Sequence, residues 1–145
     1  MSFRKILIAV DREPLSARAA ELGMELASSL QAEVAFVHAI IPGLEQAPGI
    51  TPHELLAEAE QEAREVIAGF SKHLPHGQQH KEFIHTGKPA VEIVRAAKEW
   101  EADMIVIGSH GRHGIGRALL GSVAEEVMRH AACPVLVVRS SSARD

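Results

Sequence analysis

Residues 103–123 read Asp-Met-Ile-Val-Ile-Gly-Ser-His-Gly-Arg-His-Gly-Ile-Gly-Arg-Ala-Leu-Leu-Gly-Ser-Val and hold the densest chemistry in the chain. The apolar run Met104 to Ile107 stops at Gly108. Gly111, Gly114 and Gly116 follow, with Arg112 and Arg117 among them, and Gly121-Ser122 opens a helical pattern. A buried strand, a glycine-rich turn and a helix start make an anion site. Glycines let backbone N–H groups approach a ligand closely. The first N–H groups of a helix lack intrahelical partners and carry partial positive charge. Phosphate is the usual guest.

Familiar phosphate and nucleophile motifs do not fit. Gly116 to Gly121 has P-loop spacing, but Ser122 stands where that loop needs Lys. Gly114-Ile-Gly116 starts a dinucleotide fingerprint, yet Leu119 breaks it and it follows the wrong strand. No Gly-x-Ser-x-Gly elbow surrounds Ser109 or Ser122. Arg112 and Arg117 qualify as phosphate partners by charge.

The elements that must position this loop are legible. Lys5 to Val10 is a continuous β-branched run, read as a strand buried on both faces. Pro14 suits a helix start, and Leu15, Ala19, Leu22, Leu26 and Leu30 form an apolar stripe. Glu33 to Ile40 is a second strand, and Ile41 to Thr51 a loop. Thr51-x-x-Glu54 matches a capping box ahead of a helix with face Leu55, Ala59, Ala63, Val66, Ile67 and Phe70, ended by Pro75 and Gly77. Lys81 to Thr86, Asp103 to Gly108 and Pro134 to Val138 are the remaining strands. Helices run from Pro89 through Trp100 and from Gly121 or Ser122 to Ala132, and 140–145 reads as a solvated tail. Five strands alternating with four helices predict one α/β domain over 1–145, a doubly wound parallel sheet of order 3-2-1-4-5. Ligands of such sheets bind beyond the strand carboxyl ends at the switch point. There Asp11, directly after the first strand, meets the glycine loop. Capping the first helix is the lesser reading of Asp11, compatible with the first.

Gly108-x-x-Gly111, nine residues, then Gly121-Ser122 resembles the ATP-binding branch of the universal stress protein family, whose fold is adenine nucleotide alpha-hydrolase-like. Lys5-Ile-Leu-Ile-Ala-Val-Asp11, Val37-His38-Ala39 and Ala132-Cys-Pro-Val-Leu-Val-Val138 match its other signature segments, so the resemblance spans about Arg4 to Arg139. It implies an ATP-binding, nucleotide-dependent regulator or switch in stress response, with magnesium, and a homodimer. Carried over by position, it implies that Val10 and Asp11 lie on the adenosine side and Ala39 near the base. It places Gly108 and Gly111 along ribose and phosphates, and Gly121, Ser122 and Val123 at the phosphate-facing helix start; His110, by its place inside the glycine motif, and Arg112, by its charge, are expected nucleotide contacts beside them. The chain departs from the family pattern at Arg12-Glu13-Pro14. An enzyme, either a slow ATPase or a phosphoryl transferase, is the alternative. Phosphoryl transfer needs a metal-holding carboxylate, a cationic clamp and a nucleophile together, so at most weak hydrolysis is expected.

Composition narrows the classes. The 145 residues carry net charge −4, nine histidines and one cysteine. The acidic balance argues against a nucleic-acid partner. Single Cys133 excludes a disulfide framework and fits a cytoplasmic location. No run reaches the ~20 apolar residues of a membrane span. His38 reads as a satisfied core histidine. His73, His76 and His80 have helical spacing, but Pro75 and Gly77 break the helix that would align them, so no metal site is expected. Val135 to Val138 is a short apolar edge strand and the expected homodimer surface.

Overall fold

The computed structural model describes residues 2–42, 49–109 and 120–139. The strands are β1 (Lys5–Ala9), β2 (Glu33–Ile40), β3 (His80–Thr86), β4 (Met104–Gly108) and β5 (Val135–Val138). The helices are α1 (Pro14–Leu30), α2 (Pro52–Ser71), α3 (Pro89–Trp100) and α4 (Ser122–His130). The strands form one sheet of order β3-β2-β1-β4-β5, and every pairing is parallel. This is the expected doubly wound arrangement.

The apolar runs are continuous because helices cover both faces of the sheet. On one face Ile6, Ile8, Val34 and Phe36 pack with Ala19, Ala20 and Ala27 of α1 and Ile67 of α2. On the other, Leu7, Val37, Ile105 and Ile107 pack with Ile93 and Trp100 of α3 and Val127 of α4. Alternate residues of one strand therefore serve opposite cores.

Three helices open with proline at the first turn, where no N–H partner is lost. The capping box of α2 is formed: the Glu54 N–H donates to Thr51 Oγ1 at 3.1 Å, and the Thr51 N–H to Glu54 Oε2 at 3.0 Å. Helices α1 and α3 end on left-handed residues, Gln31 (φ 54°) and Glu101 (φ 59°).

The stripe of α1 differs from its sequence reading. Ser16, Ala19, Ala20, Gly23 and Ala27 are the buried residues, while Leu30 is 43% exposed. Helix and sheet approach too closely for leucine on the midline. A Cβ at Gly23 would stand 2.7 Å from Ile8 Cδ1. Leu22 and Leu26 pack at the margins instead.

Some ends also shift. Helix α2 stops at Ser71, well before Pro75, and a turn through Gly77 (φ 85°) leads to β3. Helix α4 stops at His130, and Ala131 is already extended (φ −69°, ψ 142°). Asp103 lies just outside β4, where its Oδ2 accepts the N–H groups of Arg4 (2.8 Å) and Lys5 (2.9 Å). Pro134 precedes β5, but its carbonyl still accepts the Ile105 N–H at 3.0 Å. The expected tail 140–145 lies outside the described residues.

Candidate functional site

Strands β1 and β4 are neighbours, and their chains leave in opposite directions, β1 toward α1 and β4 toward α4. A cleft of about 720 Å³ opens at their carboxyl ends. It lies at the switch point, as doubly wound sheets require.

One wall is the turn after β1. Asp11 Oδ1 accepts the Glu13 N–H at 2.8 Å and the Ser16 hydroxyl at 2.7 Å. Ser16 Oγ in turn accepts the Asp11 N–H at 2.8 Å. Asp11 therefore does not cap α1. The N-cap position belongs to Glu13, which makes no side-chain cap bond. Asp11 closes a side-chain turn one step earlier and holds the chain beside the cleft.

A second wall is the end of β2. The Val10 N–H donates to Val37 O at 3.0 Å, and His38 Nδ1 donates to Val10 O at 2.9 Å. A carbonyl only accepts, so Nδ1 carries the proton. His38 is satisfied as the sequence suggested, yet it also lines the cleft beside Ala39.

The third wall joins β4 to α4. The Ser109 N–H donates to Val138 O at 2.8 Å, and Ser109 O accepts the Gly121 N–H. The end of β4 and the residue that opens α4 are thus tied directly to each other. Glu125 is the first residue of α4 whose N–H closes a helical turn, onto Gly121 O at 3.0 Å. The N–H groups of Ser122, Val123 and Ala124 have no intrahelical acceptor. All three residues line the cleft. Gly108 lines it too, but packing adds its own reason for glycine: a Cβ there would meet Leu15 Cγ at 3.0 Å.

The cleft brings together Val10, Asp11, Ala39, Gly108, Ser122 and Val123, with Gly121 directly ahead of Ser122 as N-cap of α4. Expected His110, Gly111 and Arg112 lie outside the described residues, as does Arg117. Sequence reasoning missed Glu62 and Ile93. Both come from helices remote in sequence, and periodicity cannot say which end of a helix borders a cleft. It also passed over Arg12, which pairs with Glu62 at 3.1 Å.

The cleft is lined by the first residues of α4, by polar Asp11, Ser16 and His38, and by apolar Val37, Ala39 and Ile93, a lining suited to an anion carried on an organic group. The model of the universal stress protein family matches residues 2–139. The chain belongs to this family. Universal stress protein YxiE of Bacillus subtilis is 32% identical over 94% of this chain and 99% of its own length. The structure of hypothetical protein MJ0577 superposes with a TM-score of 0.85 at 30% identity, covering 97% of this chain and 99% of that one. The universal stress protein of Archaeoglobus fulgidus in complex with dAMP superposes with a TM-score of 0.65 at 25% identity, covering 96% of this chain and all of that one. Members of the family thus share this fold, and one of them holds an adenine nucleotide.

Among the described residues no helix is long and apolar enough to cross a membrane. His80, from the histidine series, pairs with Glu82 at 2.8 Å. Among the described residues no group of three His, Cys, Asp or Glu side chains could hold a metal.

Proposed function

We propose that the cleft binds an adenine nucleotide, ATP foremost, and that the protein works as a nucleotide-dependent regulator in stress response. The observation that carries this reading is that the start of α4 lines one cleft together with Asp11 and Ala39, in a family with a dAMP-bound member. The N–H groups of Ser122 and Val123 and the Ser122 hydroxyl would grip phosphate oxygens. Asp11, fixed by Ser16, would accept from ribose hydroxyls, and Ala39 leaves room for the base. Magnesium would arrive as the counter-ion of the phosphates. His110, Gly111 and Arg112 complete the phosphate side in this reading.

Two copies would join along Val135–Val138. This edge strand leaves Leu136 39% exposed, and an unpaired edge favours a partner strand. Nucleic acid has no part in this reading, and the working compartment is the cytoplasm.

Thermal unfolding tests the reading. Mg-ATP at 100 times its Kd adds about 2.7 kcal/mol, which raises the Tm by roughly 5 to 10 °C for a chain of this size. An unchanged Tm with every adenine nucleotide refutes it.

A further inference from the structure

Arg12 is the residue at which the chain departs from the family pattern after Asp11, and Glu62 sits mid-way along α2. Their side chains meet at 3.1 Å, Arg12 Nη2 to Glu62 Oε2, and both residues line the cleft. Between them they tie the turn after β1 to the second helix. His38 of β2 and Ala59 of α2 line the cleft as well. The side chains are 64% and 61% exposed, so water competes for both charges. An ion pair of this kind is weak, screened by salt and quickly broken. Helix α2, which carries Glu62, packs on β2 and β3 on one face of the sheet, and α4 packs with α3 and β5 on the other, so the pair borders the cleft away from the start of α4.

We propose that Arg12 and Glu62 form a latch across the base end of the cleft, which parts to admit an adenine ligand and re-forms over it. This rests on the nucleotide reading above. A latch of this kind slows entrance and departure alike, so it sets the exchange rate of the ligand more than its affinity. Such a pair can hold back exchange by about two- to fivefold, the range open to an exposed ion pair. Asp11 and Glu13 flank Arg12 in sequence and add negative charge on the same side, so simple electrostatic steering makes a contrasting forecast. Loss of Arg12 would then slow arrival of an anionic ligand, and loss of Glu62 would hasten it.

Stopped-flow fluorescence with N-methylanthraniloyl-ATP, chased by unlabelled ATP, separates the two. With a latch, Arg12→Gln and Glu62→Gln each raise kon and koff by about two- to fivefold, and Kd stays within about twofold. The reciprocal exchange Arg12→Glu with Glu62→Arg returns both rates toward wild type. Rates that move in opposite directions in the two single variants, or that do not move, overturn the latch and leave the nucleotide reading standing. Absence of binding by the wild-type protein overturns the nucleotide reading and the latch with it.

Discussion

Asp11 and Ser16 are joined by two hydrogen bonds that run in opposite senses. The Ser16 hydroxyl donates to Asp11 Oδ1 at 2.7 Å while it accepts the Asp11 N–H at 2.8 Å. Ser16 is buried, so its loss leaves an amide without that acceptor. Ser16→Ala should cost about 1 to 3 kcal/mol of stability. Asp11→Asn keeps an Oδ1 acceptor and should cost less. Denaturant unfolding of both variants checks the order; a larger loss in Asp11→Asn would contradict the pairing.

Gly23 and Ile8 set how closely α1 lies on the sheet. Alanine at 23 improves helix propensity by about 1 kcal/mol, but its Cβ would stand 2.7 Å from Ile8 Cδ1 and 2.8 Å from Cγ1. Ile8 is fully buried and cannot swing away freely. Overpacking of this kind costs about 1 to 3 kcal/mol, so Gly23→Ala should be neutral to destabilising rather than stabilising. Ile8→Val removes Cδ1 and should recover part of the loss. A double-mutant cycle with coupling below about 0.5 kcal/mol would show that the two residues do not press on each other.

Most of the architecture was readable because strand and helix periods are local. Apolar runs announced β1, β2 and β4, and Thr51 with Glu54 announced α2. The buried face of α1 was misread because leucine marks hydrophobicity, whereas the helix midline was chosen by clearance from Ile8. The candidate site was readable where backbone chemistry dominates, at Gly121, Ser122 and Val123. It was hidden where packing decides, as with Glu62, whose place on a helix gives no hint that it reaches Arg12.

Gln31 and Glu101 close their helices in left-handed conformations that cost a side-chain-bearing residue about 1 to 2 kcal/mol. Glycine avoids that cost but loses more chain entropy on folding. Gln31→Gly and Glu101→Gly should therefore each stabilise the protein by up to about 1 kcal/mol. Calorimetric melting decides it: a lower Tm in either variant would mean that the side chain contributes something beyond the cap.

Burial, with a smaller contribution from the charge of Asp103, raises the Cys133 thiol above its ordinary pKa, against a lowering backbone hydrogen bond. The sign follows from proton counting. Above the ordinary thiol range the unfolded chain has released its proton while the folded chain keeps it. Rising pH then favours unfolding. Cys133→Ala should remove that part of the alkaline loss of stability. In the wild type, iodoacetamide should react more slowly than with free cysteine at pH 8. A reaction faster than with free cysteine would contradict the assignment.

The proposed grip of α4 on phosphate can be tested at one residue. Ser122 is the first residue of the helix, where proline is well tolerated, and Gly121 before it is already extended (φ −64°, ψ 152°), as a residue preceding proline should be. Ser122→Pro therefore keeps the fold while deleting one N–H and the hydroxyl. Isothermal titration calorimetry should show ATP binding weakened by about 10- to 100-fold, from the loss of roughly 1.5 to 3 kcal/mol of hydrogen bonding to a charged group, with adenosine binding unchanged. Undiminished ATP affinity in Ser122→Pro, in a protein with native circular dichroism, would contradict a phosphate site at this helix start.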